Sequence, residues 1–292
     1  MRVLITGAAG MLGLDVKLAA AAAGHDVTAL SRAQLDITDF DAVTRVVSAA
    51  RPDAVINCAA YTNVDGAETD PATANAINGD GAGVLAVAAA GVGAWMVHVS
   101  TDYVFDGTAV SPYLESAKVG PRSVYGSSKL LGEEAVAEAA LDSHTIVRSS
   151  WLFGVGGPCF PDTIFRLADQ RSSLNVVDDQ LGCPTFTPHL AAALVRLASE
   201  RSLVGIAHVA GAGACTWFEF ARALVSAAAA DCQVRPCTTA EFPRPAARPA
   251  YSVLRSERGA PELPEWRTGL AQYMAARAEV TRAGATRGKA AR

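Results

Sequence analysis

Two periods alternate along the first half of the chain. Short continuous apolar runs rich in Val and Ile fall at Val3–Thr6, Asp26–Leu30, Ala54–Asn57, Ala94–Ser100 and Thr145–Arg148. Between them lie segments with helical spacing, near residues 12–23, 40–50, 71–90 and 122–139. Unbroken apolar strands separated by helices predict βαβ units, hence a parallel sheet covered on both faces. The punctuation agrees: Gly24 follows the first helical segment, and Asp70-Pro71 reads as an N-cap followed by proline at the first helical position. After residue 150 the rhythm changes, with irregular Gly- and Pro-containing stretches at Gly154–Pro158 and Pro243–Pro249. Helices are expected near 162–171, 187–200, 216–230 and 266–279. The predicted fold class is α/β, a doubly wound parallel sheet with a smaller α/β C-terminal domain. Residues 1–150 form the first domain, and later strands near 174–178 and 206–209 are expected to rejoin its sheet. Residues 151–280 form mainly the second domain, and 281–292, with four basic residues, are read as a disordered tail.

Composition narrows the classes. Of 292 residues half are apolar, 18% are charged, and the formal net charge is −4. That excludes a disordered chain and carries no basic footprint for nucleic acid or anionic lipid. No apolar run is long enough to span a bilayer. The six cysteines form no C-x-x-C pair, and with no export signal apparent the expected compartment is the cytoplasm. His25, His144, His189 and His208 are isolated from one another and from any acidic cluster, so no metal site is expected.

The first chemistry lies directly after the first strand. Gly7-Ala8-Ala9-Gly10-Met11-Leu12-Gly13 opens the first helix. Glycines there let the backbone approach a pyrophosphate closely, and the helix N-terminus offers free N–H groups to it. This G-x-x-G-x-x-G spacing in this place points to a dinucleotide and a Rossmann-type sheet. At the end of the second strand an acidic residue would bond a ribose 2′-hydroxyl, but the chain has Ser31-Arg32. A hydroxyl beside a guanidinium suits a 2′-phosphate, which favours NADPH with NADH still compatible; the alternative is that Arg32 is a solvated loop residue. Asp36 and Ile37 are placed to reach the adenine. Ala59, Ala60 and Tyr61, leaving the third strand through Asn57-Cys58, would let the cofactor pass closely.

Tyr125 and Lys129 are four residues apart on a predicted helix and so share a face. A phenol titrating near ~10 exchanges protons poorly at neutral pH, and a neighbouring ammonium is expected to lower it. Thr101, or Ser100 beside it, at the end of the fourth strand supplies a hydroxyl to the same substrate oxygen. Thr101, Tyr125 and Lys129 are therefore the catalytic candidates.

These motifs together resemble the extended short-chain dehydrogenase/reductases and, within them, the dTDP-4-dehydrorhamnose reductases. The resemblance runs from Gly7 to about Trp266. It rests on Asn57-Cys58-Ala59-Ala60-Tyr61-Thr62-Asn63-Val64-Asp65, on His98-Val99-Ser100-Thr101-Asp102-Tyr103-Val104-Phe105-Asp106-Gly107 and on Val124-Tyr125-Gly126-Ser127-Ser128-Lys129-Leu130-Leu131-Gly132-Glu133. Val177-Asp178-Asp179-Gln180 with Gly182-Cys183-Pro184-Thr185 matches a later segment of the family. The resemblance implies reduction of the C4 ketone of a dTDP-4-keto-6-deoxysugar, with Tyr125 giving the proton. It implies that Lys129 binds the nicotinamide ribose, that Val99 joins the cofactor contacts, and that Thr101, Asp102 and Trp151 meet the sugar. Trp151 as a plain core residue is the alternative. The family usually shows Asn-Phe where this chain has Cys159-Phe160, which leaves the sugar less defined than the reaction. Arg166, Arg171, Arg244, Arg248 and Arg255 are all candidates for the diphosphate. A sister 4-ketoreductase, such as one forming a dihydrostreptose, uses the same triad. A non-catalytic regulatory subunit would have no need of Tyr125, Lys129 and Thr101. A homodimer is left open.

Overall fold

Residues that are apolar on both faces demand cover on both, and the four inner strands of the six-stranded central sheet obtain it. The computed structural model describes the backbone of residues 1–290. In chain order the first part contains β1 (Arg2–Thr6), α1 (Met11–Ala22), β2 (Asp26–Leu30), α2 (Phe40–Ala50), β3 (Ala54–Asn57), α3 (Val64–Ala67), α4 (Pro71–Asn75), α5 (Gly81–Gly91), β4 (Trp95–Thr101), α6 (Val124–Ala139) and β5 (His144–Ser149). There follow β6 (Leu152–Phe153), α7 (Phe160–Ala168), β7 (Ser173–Val177), β8 (Leu181–Gly182), β9 (Thr185–Phe186), α8 (Thr187–Glu200), β10 (Gly205–His208), β11 (Cys215–Thr216), α9 (Trp217–Ala227), β12 (Gln233–Cys237) and α10 (Trp266–Ala290).

The sheet runs in the order β10-β5-β4-β3-β1-β2 with every pairing parallel. Val3, Ile5, Ile56 and Val97 pack on one side against Val16 of α1 and Leu190, Leu194 and Leu197 of α8. Leu4, Val55, Met96 and Ile146 pack on the other against Val43 and Val47 of α2, Leu85 of α5 and Val136 of α6. This is the doubly wound α/β fold. A separate apolar core joins α7, α9 and α10 through Phe165, Phe220, Leu224, Trp266 and Tyr273.

Three expectations are corrected. Of the two later strands, β10 does rejoin the sheet beside β5, but β7 does not; it pairs in parallel with β12. The reason is in its pattern. Leu174 and Val176 are buried while Asn175 between them is exposed, so β7 covers one face only, whereas the central strands are covered on both. The helix expected over 71–90 is instead α4, a π-turn at Ala76–Asp80, and α5. The tail expected from 281 continues α10 as far as Ala290, and the last two residues lie outside those described. Among the described residues no helix is long and apolar enough to cross a membrane.

One buried ion pair ties α6 to the sheet. Arg148 of β5 donates through Nε and Nη2 to the two carboxylate oxygens of Glu133, at 2.9 and 2.6 Å. Ser100 of β4 donates its hydroxyl to the same carboxylate. Both ions are almost wholly buried, so removing one leaves an uncompensated charge in the interior. Glu133→Ala is therefore expected to cost about 3–5 kcal/mol of unfolding free energy, and Glu133→Leu combined with Arg148→Met distinctly less. Urea denaturation of the two variants checks this, and equal losses would contradict it.

Candidate active site

The glycine loop is shaped by close contacts. Gly7 has φ +67°, and a Cβ on it would lie 2.5 Å from the Ala59 nitrogen. A Cβ on Gly13 would overlap the Gly7 carbonyl oxygen. Gly10 is the N-cap of α1, with no side chain capping the helix and no acidic residue in its first turn. Met11 and Leu12 begin that turn. Its N–H groups are thus left to an anion, and the residues present fit the pyrophosphate of a dinucleotide.

Residues around the loop are fixed in differing degrees. The Ser31 amide and hydroxyl both donate to Gln34 Oε1, at 3.0 and 2.9 Å. Arg32 is exposed, and its Nε lies 3.9 Å from Asp36 Oδ2. The Asp36 carboxylate accepts from the Thr38 amide and hydroxyl, which hold it below the usual carboxylate range. Ile37 is buried, and a Cβ on Gly81 would press on it. Ala59 donates its N–H to Asn57 Oδ1, and Asn78 clasps Tyr61 by accepting from its amide and donating to its carbonyl, at 2.8 and 3.1 Å. Asn78 lies in the π-turn, a feature that regular helical periodicity conceals.

The catalytic candidates meet where β4 ends against the start of α6. Ser123 caps α6 by accepting from the Gly126 amide, and a Cβ on Gly126 would overlap the Tyr103 carbonyl oxygen, so glycine permits the close approach. The Tyr125 phenol is hydrogen-bonded with Thr101. Burial pushes it up to about 12; the Thr101 bond opposes this and the Asp102 charge adds to it. The expectation that Lys129 lowers the phenol is not met. Lys129 Nζ instead donates to the carbonyl of Val99 at 2.7 Å and lies 3.3 Å from His98 Nε2. Burial brings Lys129 down to about 8. Asp102, also buried, accepts from the Thr101 hydroxyl at 3.0 Å, and burial raises its carboxyl to about 6.

Beyond these lies the other half of the site. Tyr103 packs edge-on to Tyr125 at 5.5 Å, and the Arg248 guanidinium lies 5.9 Å from the Tyr103 ring centre. Arg248 and Arg244 both pair with Asp65, at 3.0 and 2.9 Å. A cavity of about 540 Å³ opens here, lined by Asp106, Arg122, Thr239, Arg248 and Tyr251 among others. Of the five arginines singled out in the sequence, Arg248 lines this cavity and Arg244 is tied to it through Asp65. Arg166, Arg171 and Arg255 are exposed and do not line it. Arg122 does, and was not foreseen. Trp151 has φ +50°, strained for a bulky residue, and its ring stacks on Trp217 at 3.5 Å with 5° between planes. Trp217 in turn donates to Gln180 Oε1 at 3.1 Å. Cys159 donates its thiol to Asp162 at 3.1 Å and sits at the N-terminus of α7.

Residues 1–279 match the family model described as the RmlD substrate binding domain. The chain belongs to this family. RmlD-type relatives include the dTDP-4-dehydrorhamnose reductase of Mycolicibacterium smegmatis, 46% identical over 94% of this chain and 85% of the relative. The probable dTDP-4,6-dihydroxy-2-methyloxan-3-one 4-ketoreductase of Streptomyces antibioticus is 42% identical over 98% of this chain and 100% of its own length. Among solved structures, the dTDP-4-dehydrorhamnose reductase of Bacillus anthracis in complex with NADP superposes with a TM-score of 0.90. It is 40% identical, and the match covers 93% of this chain and 98% of that one. The RmlD family is one of oxidoreductases, and the Thr101, Tyr125 and Lys129 constellation is the part of the chain suited to such chemistry.

The indole pair is open to a direct measurement. Trp217→Phe and Trp151→Phe should each abolish the far-ultraviolet circular dichroism exciton couplet of two stacked indoles, and each should cost about 1 kcal/mol of stability. A couplet that survives either substitution would contradict the stack.

Proposed function

We propose that the protein reduces the C4 ketone of dTDP-4-dehydro-L-rhamnose to dTDP-L-rhamnose with NADPH, Tyr125 giving the proton. The observation that carries this reading is the Tyr125 phenol, bonded to Thr101 and packed edge-on to Tyr103, whose ring lies near Arg248, a residue that lines the cavity together with Arg122. Bound NADPH supplies the hydride. A phenol raised to about 12 is fully protonated at neutral pH, and it is a stronger acid than the alcohol it would form. Its role is thus that of an acid toward a forming alkoxide. Thr101 orients the phenol, and with Asp102 it faces the sugar. The arginines of the cavity suit a diphosphate, since guanidinium groups match phosphate oxygens in fork geometry. Gly7, Gly10 and Gly13 with the α1 N-terminus would hold the cofactor pyrophosphate, and Arg32 with Ser31 its 2′-phosphate. The named reductases among the relatives support the substrate, and the NADP complex of a neighbour supports the cofactor.

A second reading is a sister 4-ketoreductase acting on another dTDP-deoxysugar, and the Streptomyces antibioticus relative favours it. Both use the same triad, so only the sugar separates them.

Tyr125→Phe should lower kcat at least about a hundredfold while NADPH binding is kept, as calorimetry would show. Full turnover in that variant would sink the proton-donor role. Arg32→Ala should weaken NADPH about tenfold and leave NADH nearly unchanged, since a single charge-assisted contact is worth about 1.5–3 kcal/mol. Equal losses would remove the 2′-phosphate assignment. Incubation with NADPH and a panel of dTDP-4-keto-6-deoxysugars, with product stereochemistry read by NMR, decides between the sugars. Turnover of a different 4-ketosugar but not of 4-dehydrorhamnose would replace the first reading with the second.

A further inference from the structure

Thr6, Asn57 and His98 are paired neighbours on β1, β3 and β4, so their side chains form one row on the face toward α6. All three are buried. The Thr6 hydroxyl donates to Asn57 Oδ1 at 2.7 Å, and the Ala59 backbone N–H donates to the same oxygen at 3.0 Å. A backbone N–H only donates, so the Asn57 atom facing it must be the oxygen. The Asn57 Nδ2 therefore faces His98 Nδ1, at 3.0 Å. An amide nitrogen also only donates, which makes Nδ1 a bare acceptor. A neutral imidazole carries its proton on the other nitrogen, and burial keeps His98 neutral by pushing its pKa well below the ordinary value. The Nε2–H thus points at Lys129 Nζ, 3.3 Å away.

We propose that His98 is a positioning residue that sets the proton inventory of Lys129: its Nε2–H, locked by Asn57 and Thr6, presents the positive end of an N–H dipole to Nζ, disfavours the ammonium and orients the amine lone pair. The other groups around Lys129 do not override this. Glu133, one turn along α6, favours the ammonium, but its carboxylate is engaged by Arg148 and Ser100. Cys58 is partly buried, and desolvation pushes its thiol up to about 12, so it is neutral at working pH. The Val99 carbonyl accepts from either form. A lysine that titrates near 8 is a usable proton reservoir beside Tyr125, and one with the ordinary value is not. That catalytic consequence rests on the reductase reading; the proton inventory does not.

The test reads the protons directly on the full chain without substrate. A long-range proton–nitrogen NMR spectrum shows the tautomer of each of the five histidines, with His98 assigned by its loss in His98→Gln. The expected result is a protonated Nε2 and a bare Nδ1, and the opposite tautomer overturns the proposal. Titration of protein labelled with carbon-13 at lysine Cε resolves four lysines, with Lys129 assigned by Lys129→Met. Lys129 should titrate about two pH units below the ordinary ~10.4. His98→Gln, whose amide N–H stands in for Nε2–H, should keep that midpoint. His98→Met, of similar volume but offering only an acceptor sulfur, should raise it by at least about one unit, tenfold in the ionisation equilibrium. Equal midpoints in the Gln and Met variants overturn the proposal. Should His98→Met fail to fold, an ordinary midpoint for Lys129 in the unsubstituted protein overturns it as well. Failure of the protein to reduce any sugar would count against the reductase reading and leave these spectra unaffected.

Discussion

The parallel register that sets Thr6, Asn57 and His98 side by side is the constraint on which the site depends. A slip of one residue in any of these strands would turn its polar side chain to the opposite face, toward α1 and α8. Burying such groups is tolerable only because each has its partner, and the row is satisfied from the Thr6 hydroxyl through to the Lys129 amine. The same row sets the depth of α6. Gly132 lets that helix approach until a Cβ would overlap the Asn78 carbonyl oxygen, and Gly126 does the same against Tyr103. Lys129 and Tyr125 are thereby brought against the carboxyl end of β4.

The central sheet was legible because its strands are apolar on both faces and separated by helices at regular intervals. β2, α2 and β3 begin and end where the pattern predicts. The glycine loop was legible for a related reason, since no other residue type fits Gly7 or Gly13. What escaped the pattern was set by partners far along the chain. β7 has the spacing of a strand, but its partner, β12, lies some sixty residues further on. The π-turn at Ala76–Asp80 looks like unbroken helix, because the extra residue it inserts is decided by Asn78 clasping Tyr61.

The candidate catalytic side chains show the same division. Tyr125 and Lys129 share a helix face, as their spacing says, yet the spacing is silent on which way the amine turns. The amine turns to Val99 and His98, and the phenol turns to Thr101. His98 stands among apolar neighbours in Trp95–Thr101, and a lone histidine in such a strand carries no signal of its partner. The basic wall is assembled from even more distant pieces. Asp65, Tyr103, Arg122, Arg244 and Arg248 come together only when the segment after β12 folds back over the end of β4.

The position of β10 has a consequence for how the chain is made. The sheet is complete only when Gly205–His208 settles beside β5, and its second face is fully covered only when α8 lies beside α1. On a ribosome the first hundred and fifty residues therefore emerge with β5 as an open edge and with the face carrying Val3, Ile5 and Ile56 covered by α1 alone. A bare edge and an apolar face invite pairing with other chains, and they persist through the synthesis of about fifty more residues. The nascent chain is most exposed to aggregation in that interval, well before the segments that complete the arginine-lined cavity are synthesised.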